Sequence, residues 1–164
     1  MDFRVPGRLS NPPDDAHVEL ATLMALPEAS QCESRSLYEE GWKEAAKHRW
    51  IESQKHGCDL GNNAIDEWVE RYWLIYCKFR RLEHVLGHVH WEEFEEPPSL
   101  FISKLLNEHD LLLSMILDRV QEGWENLEVI LWAYDWGLNM DDVRNILQEL
   151  DINRARLTPM TLVS

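Results

Sequence analysis

The sequence predicts an all-α fold, a compact bundle of about five helices with loosely ordered termini. Three observations carry that expectation. The longer apolar stretches repeat at three- and four-residue spacing, the period of a helix that buries one side. Glycines or helix-capping residues stand at the ends of these stretches. Hydrophobic residues make up 45% of the 164, and eight are tryptophan, so one domain can bury a real core.

The widest apolar stripe lies in Pro98–Gln121. Phe101, Leu105, Leu112 and Ile116 form one row. Ile102, Leu106, Leu113, Leu117 and Val120 form a second, and Leu111 and Met115 widen it. Such a surface suits a central helix that the other helices surround. Lys104, Glu108, His109 and Asp110 interrupt it too often for a membrane span. The remaining elements are assigned in chain order.

Residues 1–33 form an N-terminal segment expected to be weakly ordered, with Pro6, Gly7, Pro12 and Pro13 punctuating it and a short helix possible over Ala16–Leu26. The helical domain covers 34–151. Its first helix begins near Ser36, which with Glu39 makes a capping-box pattern, and stops before Gly57. Leu37, Tyr38, Trp42, Ala45, Ala46, Arg49 and Trp50 share one of its faces. A tight G-C-D-L-G link follows, with Asp59 placed to accept backbone N–H groups and Asn62 or Asn63 to cap the next helix. That helix, about Ala64–Leu86, carries a stripe from Ile65 and Trp68 to Leu82 and Leu86. Lys78, Arg80 and Arg81 near its end complement the helix dipole, a structural role for a basic cluster.

Gly87 stops this helix, and H-V-H-W-E-E-F-E-E after it has no clear period. Pro98 suits the first turn of the central helix. Beyond Gly123, a helix over Trp124–Trp136 is expected to turn Leu127, Ile130, Leu131 and Tyr134 to the core. After Gly137, Asn139 caps a last helix, Met140–Leu150, with Val143, Ile146, Leu147 and Leu150 on one side. Residues 152–164 have no periodicity and are assigned as a C-terminal tail.

Charge narrows the function. Sixteen Lys and Arg stand against 30 Asp and Glu, a formal net charge of −14. That balance disfavours phosphate backbones and anionic lipid, so neither nucleic acid nor membrane is expected as a partner. It favours basic partners. Three cysteines, Cys32, Cys58 and Cys77, without C-x-x-C, make neither a disulfide framework nor a zinc ribbon. No basic n-region leads an apolar h-region, so a cytoplasmic protein is expected. No catalytic motif of high specificity and no cofactor motif is present.

Three constellations remain. Glu83–Glu96 holds His84, His88 and His90 among glutamates. His84 and His88 are four apart, a spacing that on an unbroken helix aligns two imidazoles for zinc or iron, although Gly87 lies between them. Trp50–Gly61, W-I-E-S-Q-K-H-G-C-D-L-G, resembles a W-x-x-S-x-x-x-G-x-D-L-G helix–turn–helix segment of uncharacterised bacterial helical proteins, which implies no activity. Its neighbouring His56, Cys58 and Asp59 are best explained as parts of a turn. Last, Leu127–Leu147 resembles the helix–Gly–helix hairpin of SinI/SinR-type dimerisation modules, matching at Leu131, Ala133, Gly137, Leu138, Asn139, Asp142, Val143, Arg144, Ile146 and Leu147. That resemblance implies self-association or a protein partner at this hairpin.

The function expected is therefore a non-enzymatic interaction or regulatory protein, with contacts at Trp132, Trp136, Val143, Ile146 and Leu147 of the C-terminal hairpin. A metal-binding protein or metal-dependent enzyme built on His84, His88 and His90 is the first alternative. An acidic mimic of nucleic acid is the second; it requires carboxylates in spaced rows on one face.

Overall fold

Six helices follow one another in the computed structural model, which describes residues 33–160. They are α1 (Leu37–His56), α2 (Asn62–Val85), α3 (Leu100–Asn107), α4 (Leu111–Gln121), α5 (Asn126–Asp135) and α6 (Met140–Leu150). Strands β1 (Ser34–Arg35) and β2 (His90–Trp91) pair in parallel, Ser34 with His90 and Arg35 with Trp91. A 3-10 turn, Ile152–Ala155, ends the regular structure. The all-α expectation holds. The helix assigned to Ala16–Leu26 and the order of residues 1–32 lie outside the described residues.

The helix count differs because the expected central helix is two. Asp110 caps α4, its Oδ1 accepting the Leu113 N–H at 2.8 Å. His109 takes a left-handed conformation, φ 52°, that closes α3. Its N–H donates to Leu106 O and that of Asp110 to Leu105 O, satisfying carbonyls that a helix end leaves open. The stripe therefore turns a corner. Leu113, Ile116 and Leu117 are fully buried, but Leu111 is 72% exposed. Pro98 precedes the cap; Ser99 is the residue whose hydroxyl accepts the Ile102 N–H.

The long helix α2 is the true organiser, because it enters both apolar clusters. Its C-terminal residues Leu82, Val85 and Leu86 join α3, α4, α5 and α6 in one. Its earlier residues Ile65, Trp68, Trp73, Tyr76 and Cys77 meet Leu37 and Ala45 of α1 in the other. The α1–α2 turn forms as expected, with Gly57 left-handed at φ 69°. Asp59 accepts the Gly61 N–H at 2.9 Å. Gly61, not Asn62 or Asn63, occupies the cap position, and no side chain bonds there.

Residues 152–160, assigned from sequence as tail, are anchored to the core by three buried side chains. Ile152 joins the first cluster, and Ala155 and Met160 the second. The Trp73 indole donates to Leu157 O at 3.0 Å, and the Tyr38 hydroxyl to Thr158 O at 2.9 Å. A Cβ at buried Gly41 would lie 3.3 Å from Met160 Sδ and 3.1 Å from Trp73, so glycine allows this strap to close on α1.

Candidate interaction surface and the polar connector

The connector between α2 and α3 resolves the histidine question. His84 is 1% exposed, and both of its ring nitrogens are engaged by backbone. Nδ1 accepts the Trp91 N–H at 3.1 Å, so Nε2 carries the proton and donates to Glu96 O. Burial holds this imidazole below its ordinary value, opposed by the Glu96 carbonyl and assisted by the nearby charges of His90 and Arg81. The His90 ring sits 5.2 Å from that of His84, centroid to centroid. His88 lies past the helix end, its N–H donating to Glu83 O. The i, i+4 alignment fails because α2 ends at Val85, before His88. Among the described residues no group of three or more His, Cys, Asp or Glu is arranged to hold a metal. His84, His88 and His90 are therefore not assembled as a site.

The surrounding charges serve the same junction. Glu83 accepts the Trp91 indole N–H at 3.0 Å and pairs with Arg80 at 2.9 Å. Arg81, 2% exposed, pairs with Glu96 and donates from Nε to Leu150 O, the last carbonyl of α6. Glu93 takes the start of α1: Leu37 N–H donates to it at 2.8 Å and the Ser36 hydroxyl at 2.9 Å. A carboxylate at a helix N-terminus meets both orphan donors and the dipole. Lys78 pairs with Glu125. The bases late in α2 are thus structural, as expected, but through specific ion pairs and not through the last turn, where His84 is the basic residue.

The turn between α1 and α2 borders an open groove lined in part by Trp50, Ser53, Cys58 and Asp59. His56 and Asp59 of this turn point to separate partners. His56 Nδ1 bonds Glu52 O at 2.8 Å. Asp59 is clamped by Arg49 at 3.0 and 2.6 Å, which with the Gly61 N–H pushes its carboxyl down to about 2. Cys77 is fully buried, and desolvation pushes its thiol up to about 12, away from nucleophilic thiolate. On α1 the pairs Glu40–Lys43, Glu44–Lys47 and Glu52–Lys55 give a mixed-sign surface, not a row of carboxylates.

The C-terminal hairpin is where sequence and structure diverge most. Helix α6 packs as expected, with Val143, Ile146, Leu147 and Leu150 all buried. Helix α5 is turned over. Val129 and Ala133 are fully buried and Trp132 is 8% exposed, whereas Leu127, Leu131 and Tyr134 are 65, 56 and 73% exposed. Val129 and Ala133 are small enough for α5 to approach its neighbours closely, and Trp132 closes the edge beneath the Arg119 guanidinium, 3.7 Å from its ring centroid.

Of the expected contact residues, Trp132, Val143, Ile146 and Leu147 therefore belong to the core and offer no surface to a partner. Trp136 remains outside, at 64% exposure. Its ring lies against Trp132, centroids 6.0 Å apart, and on the other side of α5 the structure brings out Leu127, Leu131 and Tyr134, spaced i, i+4, i+7 on one helix face. The helical stripe that marks them was visible in the sequence; its direction was not. Comparison with protein-family models, curated proteins and solved structures finds no match to this chain.

Proposed function

We propose that this is a non-enzymatic interaction protein whose contact surface is the outer face of α5 with Trp136. One observation carries the reading: Leu127, Leu131 and Tyr134 stay side by side at the surface of a helix whose opposite side is core. Single exposed apolar residues are ordinary, but a contiguous row is a feature of binding surfaces. Tyrosine and tryptophan are also the residues that most often dominate interface energy. Trp42 and Trp50 of α1 are exposed too, but mixed charge pairs divide that helix surface.

The test places a photoreactive phenylalanine analogue at Tyr134, or at exposed Glu70 on α2 as control, in the full chain inside cells. A discrete adduct from position 134, absent from position 70 and abolished by Leu131→Asp, is expected. Equal labelling at both positions, or an adduct indifferent to Leu131→Asp, refutes the reading.

A further inference from the structure

We infer that the occupant of the α5 face is a basic amphipathic helix of a different protein, not a second copy of this chain. The inference rests on reading that face as a contact surface, and adds the partner's chemistry from charge.

Between Arg119 and Arg144 the chain has no Lys, Arg or His, but six acids. Two of the six are answered within the fold: Glu125 by Lys78 and Arg156, and Asp141 by Arg144 at 3.7 Å. Glu122, Glu128, Asp135 and Asp142 have no basic partner among the described residues, and all four are exposed. Glu128 and Asp135 stand three residues before and four after Leu131, so both border the apolar row along one edge of the helix surface.

An apolar strip with a rim of one sign selects a strip with the opposite rim. Basic residues on the partner gain attraction as apolar residues meet Leu127, Leu131 and Tyr134. A symmetric homodimer through this face places the same patch against itself, so each acidic edge meets no basic edge. A net charge of −14 adds repulsion between the copies. Ten helical residues run about 15 Å, which matches two to three turns of a docked helix. Anionic lipid and nucleic acid are repelled by the same rim.

The experiment titrates the full chain with a designed peptide of about 18 residues, leucines on one helical face and lysines on the other. A second peptide keeps the leucines and carries glutamates. Sedimentation velocity of the protein alone runs in parallel. The lysine peptide is expected to bind more tightly than the glutamate peptide by roughly tenfold or more at low salt, with the gap narrowing as salt rises. Leu131→Asp is expected to weaken the lysine peptide by a similar factor. So is the triple change Glu122→Gln, Glu128→Gln, Asp135→Asn, in which the amide introduced at position 128 retains the capping interaction. The control Glu39→Gln, Asp66→Asn, Glu70→Gln removes as many exposed charges elsewhere and is expected to leave binding within about twofold. Unchanged thermal melts establish that the variants fold.

Equal affinity for the two peptides overturns the inference, as does equal loss in the control variant. A dimer that Leu131→Asp dissociates also overturns it, while leaving the α5 face standing as a contact surface. Photo-adducts lost at Tyr134 in the preceding experiment would instead remove the surface itself, so the two failures are separable.

Discussion

Arg81→Met is the sharpest probe of how this fold is held. Arg81 is 2% exposed, and its guanidinium has three partners, two in the connector and one at the end of α6. Its Nε donates to Leu150 O at 3.1 Å, its Nη1 pairs with Glu96, and its Cζ lies 5.2 Å from the Phe94 ring centroid. Losing a charged donor to a buried carbonyl costs about 2 kcal/mol. The ring contact is worth about 1 kcal/mol. The Glu96 pair adds about 1 kcal/mol, because Arg154 at 2.8 Å keeps that carboxylate paired. Methionine returns about 1 kcal/mol by removing the need to bury a charge. The net expectation is a loss of about 3 kcal/mol, a large share of a typical domain's stability. Arg154→Met touches the same Glu96 from a side chain that is 57% exposed, and is expected to cost less than about 1 kcal/mol. Urea denaturation followed by tryptophan fluorescence measures both. Equal effects of the two variants, or an Arg81→Met loss below about 1 kcal/mol, would refute the view that Arg81 ties α2, the connector and α6 together.

Other expectations follow from the same geometry. Burial holds His84 below its ordinary 6.5, so the unfolded chain takes up a proton first as pH falls. Stability from this group is whole above about 6.5 and is lost as pH drops from there towards the lower folded value, with a slope of at most about 1.4 kcal/mol per unit. Urea midpoints from pH 7.5 to 5 should show that His84→Gln flattens the decline; parallel curves would exclude His84 as its source. On α5, Val129→Ala is expected to cost about 2 kcal/mol and Leu131→Ala less than about 0.5, and the reverse order in chemical denaturation would turn the helix back over. Gly41→Val is expected to cost about 2 kcal/mol by pressing on Trp73 and Met160, and faster hydrogen exchange over residues 157–160 would report the strap lifting. An unchanged exchange pattern would place the strap's hold elsewhere.

What could be seen in the sequence was local. Ser36, Gly57, Gly87 and Asn139 act within a few residues of themselves, so the ends they mark fall where expected. Helix α6 was legible to the face because its apolar residues lie on one side only. The structural role of the late bases of α2 was likewise legible from position.

Long-range partners decided the rest. Helix α5 carries large apolar residues on both sides, so periodicity fixes its axis but not its rotation; the side with Val129, Trp132 and Ala133 is the one that goes inward. Residues 152–160 lack any period, yet they bury Ile152 in one apolar cluster and Ala155 and Met160 in the other, with Gly41 leaving room for Met160. Glu93 caps a helix 56 residues earlier, and Arg81 closes one 69 residues later. By itself the chain's order of residues determined the class of fold, most helix ends and an acidic surface. Which apolar row became core and which stayed at the surface was settled only when the helices competed for the same interior volume, since burial depends on neighbours that no short window contains.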